Sequence, residues 1–326
     1  MQHKTSILND GFGLMIEDVT RRDLEDTSFQ YEAHDLWLRH GGLIAVRGDE
    51  LVDMSPEQLM VWSSVFGTVE EITLAARESN MVQGFPILRI GNVRDETGNL
   101  KASFSRGVPL KTDADIQYNP DTRRPVWHTD STFRKNPPIG SVFHCRQAPS
   151  EGAETLFADT RRAYSCLDEV TRLKLSEMEA ICSLAHHDKK ISLYTPGYPV
   201  LDEEQRIANP PNRVPVVLKH PVSGIPALYG LNSSTCAVVS KGKPIEQAEL
   251  DKWDLEGVED DSVLILRDLL PYITGPDFTV KWSWRVGDIV AWDNRCTMHA
   301  ATGFDYERYN REMWRLTLLD RAVEAA

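Results

Sequence analysis

Val126-Trp127-His128-Thr129-Asp130-Ser131-Thr132-Phe133 sets two metal-capable side chains, His128 and Asp130, one residue apart. On a strand, alternate side chains share a face, so an imidazole nitrogen and a carboxylate oxygen can converge on one ion. A second histidine from elsewhere completes a set of two imidazoles and one carboxylate. Such a facial set leaves three coordination positions open and is the pattern of non-haem Fe(II) oxygenases. The chain offers His299 for the third place, at the end of Trp292-Asp293-Asn294-Arg295-Cys296-Thr297-Met298-His299. Asp293-Asn294-Arg295 reads as the turn that presents it. His-x-Asp alone recurs by chance as a surface pair, so its meaning depends on its surroundings.

Downstream of the pair the pattern is that of β-structure. Ser141–Arg146, Thr155–Ala158, Val214–Lys219, Ala227–Leu231, Thr279–Trp284, Asp288–Trp292 and Met313–Leu319 all suit strands. Helices are expected at about Thr160–Glu179 and Ile245–Trp253. Ser262–Tyr272 is apolar enough to be helical, with Pro271 expected to close it. Upstream, Glu32–Arg39 reads as helix, Leu43–Val46 as a short strand and Phe85–Ile90 as another. Ser55-Pro56-Glu57-Gln58 opens a further helix, with proline at its first position. Between them, Gly91–Arg124 loses periodicity and is expected to be a long active-site loop. Strands far apart in sequence, with helices interleaved, imply a β-sandwich or barrel carrying a helical flank. No linker divides it, and residues 1–326 are expected to form a single domain.

The chain has 326 residues, with 36 Lys and Arg against 49 Asp and Glu, a net charge of -13. That balance works against sequence-independent nucleic-acid binding, which requires clustered cations facing phosphates. No apolar run approaches the ~18 residues of a membrane span, and Met1–Thr5 lacks the apolar core of a signal peptide. The expectation is a cytoplasmic protein acting on a small molecule, with no nucleic-acid or membrane partner, and assembling as a homo-oligomer. Five scattered cysteines, none in a CxxC pair, argue against a zinc knuckle or a disulfide framework. They read mainly as small buried hydrophobes, with Cys296 near the His299 segment. His186-His187-Asp188 reads as a false metal site, because neighbours on an extended chain point to opposite faces. Trp127 and Trp292 are expected to wall the site.

Ordered along the chain, these segments resemble the taurine / 2,4-dichlorophenoxyacetate dioxygenase family of Fe(II)- and 2-oxoglutarate-dependent oxygenases. The resemblance runs through His40-Gly41-Gly42-Leu43-Ile44, Ser55-Pro56-Glu57-Gln58 and the His128 stretch. It continues through Gly152-Ala153-Glu154-Thr155, Phe157–Tyr164, Trp292–His299 and Arg311-Glu312-Met313-Trp314-Arg315. It implies a mainly β fold with flanking helices around a double-stranded β-helix, or jelly-roll, core. It also implies Fe(II) as cofactor, 2-oxoglutarate as cosubstrate and O2 as oxidant. It further implies that succinate and CO2 are released as a substrate C–H bond is oxidised.

Carried over by position, the resemblance implies that His128, Asp130 and His299 bind iron. Thr155 and Arg311 would hold the distal carboxylate of 2-oxoglutarate, and Arg315 the acidic group of the prime substrate. Guanidinium suits both arginine roles, because it grips a carboxylate through two parallel charge-assisted hydrogen bonds. The chain departs from the family pattern twice. Ala153 stands where a second glycine is usual, so it is strained if that position needs positive φ. The run from His299 to Arg311 is about one residue longer than in some relatives, so the two arginine roles depend on where that residue sits. Two other readings use the same residues: a zinc-type hydrolase on the triad, and a non-catalytic jelly-roll protein that binds acids. The hydrolase does not call for the Thr155–Arg311 anion clamp, and succinate formation from 2-oxoglutarate separates all three readings.

Overall fold

A computed structural model describes residues 3–71, 81–92, 118–119, 124–125, 127–194, 200–255, 264–305 and 308–321. In chain order its strands are β1 (Thr5–Asn9), β2 (Phe12–Ile16), β3 (Leu43–Val46), β4 (Thr68–Val69), β5 (Leu88–Gly91), β6 (Tyr118–Asn119), β7 (Arg124–Pro125), β8 (Gly140–Gln147), β9 (Thr155–Asp159), β10 (Met178–Cys182), β11 (Asn212–Pro215), β12 (Val217–Lys219), β13 (Pro226–Leu228), β14 (Thr235–Ser240), β15 (Thr279–Trp282), β16 (Ile289–Asp293), β17 (Thr297–Ala301) and β18 (Glu312–Leu319). The major sheet runs β1-β2-β3-β16-β8-β18-β4, with β5 also paired to β18. A minor sheet, β15-β9-β17, faces it. This is the double-stranded β-helix expected from the sequence.

Period-two alternation sorts the side chains of both sheets into layers. On the major sheet Leu43, Ala45, Phe143, Cys145, Val290, Trp292 and Met313 point inward. There they meet Phe157 and Trp282 from the minor sheet. The intervening residues Ile44, Val46, Val142, Ile289, Ala291, Leu316 and Leu318 point outward. They are covered by helices Thr27–Arg39 and Pro56–Ser63, which bring Trp37, Trp62 and neighbouring Phe66. Both helices start where the sequence provides caps: the Asp26 carboxylate accepts from the Phe29 amide, and Ser55 forms a capping box with Gln58. Truncating a tryptophan buried as fully as Trp37 or Trp62 to alanine costs roughly 3–5 kcal/mol, so this layer anchors the sheet that carries the site.

The outer face of the minor sheet, with Ala158, Met298 and Ala300, packs under chain inserted between β9 and β15. The insert contains the small sheet β11-β10-β14 and the β12-β13 hairpin. It departs from the sequence expectation at three points. The span read as one helix, Thr160–Glu179, is two short helices, Thr160–Ser165 and Glu169–Ser176, each capped by an aspartate (Asp159, Asp168), followed at once by β10. The Leu264–Ile273 helix continues through Pro271. A proline near the end of a helix removes one amide bond without having to stop the last turn. Val214–Lys219 is broken into β11 and β12 by Val216.

Ala153 has φ 57, so the expected strain is present. It is buried, its amide donates to Gly303 O at 3.2 Å, and a Cβ on neighbouring Gly152 would come within 2.5 Å of the same oxygen. A left-handed non-glycine costs about 1–2 kcal/mol, stored here two residues before Thr155. The expected loop at 91–124 lies outside the described residues except for positions 91–92, 118–119 and 124.

Candidate active site

His128 and His299 meet because their backbones form an antiparallel bridge. Each amide donates to the other's carbonyl oxygen at 2.9 Å. His299 sits on the inward phase of β17, and the bridge brings His128 beside it, with ring centroids 4.1 Å apart. Asp130 does not share a strand face with His128, as its spacing suggested. Chain pairing ends at His128, and Asp130 begins a turn in which Ser131 takes φ 50. The turn swings the carboxylate back to the imidazoles. Asp130 Oδ1 is 3.8 Å from His128 Nε2 and 3.7 Å from His299 Nε2. The three ligand-capable atoms lie within 4.8 Å of one another, and Asp130 and His299 are buried.

The turn is tied down by the insert. Asn232 Nδ2 donates to Thr132 Oγ1 at 2.9 Å, and the Ser234 hydroxyl lies 3.0 Å from the same oxygen. Asn212 Nδ2 donates to the carbonyl oxygens of Thr132 (3.0 Å) and Arg134 (2.7 Å). From the major sheet, Arg315 Nη2 lies 2.9 Å from Asp130 Oδ1, and the Ser141 hydroxyl donates to Asp130 Oδ2 at 3.0 Å. Burial pushes the Asp130 carboxyl upward, but Arg315, the two histidines and the Ser141 hydrogen bond outweigh it and hold the group below the usual carboxylate range. Burial, reinforced by His128, pushes His299 well below its ordinary value against the pull of Asp130. A neutral imidazole beside an ionised carboxylate suits divalent-metal ligation.

Thr155 and Arg311 enter the same interior from opposite sheets. Thr155 is inward on β9, and its Oγ1 accepts from Trp284 Nε1 at 2.9 Å. Arg311 precedes β18 and is almost wholly buried; its amide donates to Asn92 Oδ1 at 2.8 Å. Its guanidinium acts electrostatically on Cys145, whose thiol burial pushes up to about 12. Residues 311, 313 and 315 alternate in phase, so both arginines face inward with Met313. Trp292 packs 4.8 Å from His299, as expected for a wall. Trp127 does not line the site: alternation turns it outward, into the cluster on the far side of the minor sheet.

A second group of metal-capable side chains, His220, Asp293 and Cys296, also lies within 4.8 Å. Its hydrogen bonds give it another role. Asp293 Oδ1 accepts from the Arg295 amide and Nε, each at 2.8 Å. Oδ2 accepts from Arg295 Nη2 at 2.6 Å and His220 Nε2 at 2.9 Å. His220 Nδ1 accepts from the Val222 and Ser223 amides, which leaves the ring proton on Nε2. With the acceptors committed and burial raising the Cys296 thiol far above its ordinary value, this knot shapes the turn that delivers β17, as the Asp293-Asn294-Arg295 run suggested. His186–Asp188 lies in helix Leu184–Tyr194 rather than in the extended chain assumed for it.

Ser141 and Trp284 were not singled out in the sequence. Ser141 had a usable signal: a polar residue on the same alternation phase as Phe143 in an apolar strand. Trp284 is one of eight tryptophans and had none.

The family model described as taurine catabolism dioxygenase TauD, TfdA family, matches residues 13–317. The chain belongs to this family, whose members are Fe(II)- and 2-oxoglutarate-dependent dioxygenases using O2. It is 28% identical over 310 residues to the (S)-phenoxypropionate/alpha-ketoglutarate-dioxygenase of Delftia acidovorans, covering 95% of this chain and 92% of that one. It is 32% identical over 199 residues to the alpha-ketoglutarate-dependent 2,4-dichlorophenoxyacetate dioxygenase of Cupriavidus pinatubonensis, 61% of each. The fold matches the crystal structure of AAD-2 in complex with Mn(II) and N-oxalylglycine, with a TM-score of 0.76 at 23% identity and 98% of both chains covered. Among the described residues, no helix is long and apolar enough to cross a membrane.

Proposed function

We propose that His128, Asp130 and His299 hold the iron of this dioxygenase, that Thr155 and Arg311 bind the distal carboxylate of 2-oxoglutarate, and that Arg315 takes the acidic group of a small organic acid. The observation that carries the reading is the convergence of two imidazoles and an ionised, buried carboxylate from two segments far apart in sequence, 128–130 and β17. The donor set fits Fe(II), which accepts mixed nitrogen and oxygen ligands and needs open positions for cosubstrate and O2. When bound, the iron couples oxidative decarboxylation of 2-oxoglutarate to oxidation of a substrate C–H bond.

The protein's part is binding, orientation and exclusion of water. Trp284 occupies one lone pair of the Thr155 hydroxyl, which leaves its O–H to donate to a carboxylate. Arg311, almost wholly buried, supplies the opposing charge, and a bidentate carboxylate grip restricts rotation. Arg315 spends Nη2 on Asp130 and Ser141, while its buried Nε has no hydrogen-bond partner among the described residues. That donor supports an anionic substrate, the class to which the phenoxypropionate and dichlorophenoxyacetate of the relatives' names belong. The interior stacked around Phe143, Phe157, Trp284 and Trp292 keeps the reacting centre dry.

The zinc-type hydrolase reading is not favoured, because it leaves Thr155 and Arg311 without a purpose. We also read the chain as a single catalytic domain, a reading supported by β9 and β15 pairing across the whole insert, and as cytoplasmic. The deciding experiment supplies ferrous iron, ascorbate, air and 2-oxoglutarate with a panel of aryloxyalkanoic and sulfonic acids, and measures succinate. Stimulation by organic acids but not by their amides is expected. Stimulation by neutral amides alone would overturn the role given to Arg315.

A further inference from the structure

Ser141 lies at the start of β8, the second residue of the strand, between Trp292 on β16 and Thr317 on β18, with no solvent exposure. A hydroxyl has a single proton to give. Here its geometry allows two polar contacts, with Asp130 Oδ2 at 3.0 Å and Arg315 Nη2 at 3.3 Å. The guanidinium can only donate and the ionised carboxylate can only accept, so Ser141 gives its proton to Asp130 and receives one from Arg315. The two oxygens of Asp130 are thereby made unequal. Oδ1 faces both histidine Nε2 atoms and Arg315; Oδ2 is turned away and held by Ser141.

We propose that Ser141 is a positioning residue that makes Asp130 a one-oxygen metal ligand. The proposal rests on the assignment of Asp130 as a ligand. A carboxylate free to rotate about its last bond can present both oxygens, which uses four coordination positions together with the two imidazoles. Two positions then remain, both filled by a chelating 2-oxo acid, and none is left for O2. Holding Oδ2 keeps three positions open. The hydroxyl also couples the metal-facing carboxylate to Arg315, so the proposed ligand and the proposed substrate-facing cation are braced by one side chain of the major sheet.

The test uses the full chain and Mn(II) as probe. Free Mn(II) is titrated by its electron paramagnetic resonance signal, and water-proton relaxation counts the waters on the bound ion. Hydrogen-bonding partners of metal ligands typically contribute 10–100-fold in affinity. S141A is expected to bind Mn(II) about 10–100-fold more weakly, with fewer bound waters than wild type. S141T, which keeps the hydroxyl, should restore both values to within a fewfold. Wild-type affinity and hydration in S141A overturn the proposal, as does a loss in thermal stability with neither quantity changed. S141C keeps the size of serine with a weaker donor and answers the same question if S141A does not fold. Its loss should be intermediate, and wild-type behaviour overturns the proposal. D130A separates the underlying assignment: wild-type Mn(II) affinity in D130A refutes Asp130 as a ligand, whatever Ser141 does.

Discussion

Replacing Trp284 by phenylalanine keeps an aromatic ring against Phe143 and Trp282 but removes the indole N–H that reaches Thr155 Oγ1 at 2.9 Å. Both residues are buried, so water does not replace the lost donor. A neutral hydrogen bond of this kind is worth about 0.5–1.5 kcal/mol net. The Thr155 hydroxyl loses the partner that fixes its rotation, so that energy is charged to whatever the hydroxyl is meant to bind. W284F should therefore weaken 2-oxoglutarate binding by roughly two- to tenfold. Calorimetric titration of 2-oxoglutarate into the Mn(II)-loaded protein measures this directly. The smaller ring also changes packing, so the decisive comparison is a double-mutant cycle with T155V. Once the hydroxyl is absent, adding W284F should change the affinity less than twofold. If W284F weakens binding as much on the T155V background as in wild type, the tryptophan acts through packing and the account of Thr155 is wrong.

Four further outcomes are expected. H128A and D130A should each abolish succinate formation while leaving cooperative thermal unfolding in place; near-native turnover in either removes that residue from the ligand set. R311A should raise the 2-oxoglutarate requirement by tenfold or more, since charge-assisted bonds are worth about 1.5–3 kcal/mol each. R315A should raise the prime substrate's KM and also shift metal loading to higher pH, because Asp130 loses the cation that keeps it ionised; titrating both cosubstrates and Mn(II) against both variants separates the two roles. Burial lowers His144 from its ordinary 6.5 to about 4, with Leu51 O accepting from its Nε2 at 2.9 Å. The folded state holds this ring neutral, so its contribution is complete above pH 6.5. It is lost as pH falls towards 4, because only the unfolded chain takes up the proton, in total roughly 3 kcal/mol. Urea unfolding between pH 4.5 and 6 should show about one proton less linkage in H144Q than in wild type.

The strands that build the site were readable because their residues alternate. Ile44, Val142 and Val290 announce both a strand and its neighbours' faces, and Ser55-Pro56 announces a helix start. Histidine spacing singled out side chains that the structure brings together, but with incomplete geometry: His128 and Asp130 converge through a turn with positive φ at Ser131, which no local periodicity encodes. β10 was hidden because Met178–Cys182 follows a helix without a glycine or proline to mark the change. The contacts that orient the site, Ser141 to Asp130 and Trp284 to Thr155, join residues 11 and 129 positions apart. The first exists only once the Asp130 turn meets the major sheet, and the second only once β9 and β15 pair across the insert.

Asn212 and Asn232 belong to the chain inserted between β9 and β15, yet their amides grip the turn that follows Asp130. For a protein engineer this makes the insert a poor cassette. Swapping residues 178–240 for the corresponding stretch of a relative, as one would to change a pocket while keeping a catalytic frame, also replaces the clamp on Thr132. A chimera that retains both asparagines keeps the hold on the turn after Asp130, whereas one that drops them trades a change of specificity against a loosened carboxylate. Any redesign of this chain's insert is therefore constrained at two amides that need never touch a substrate.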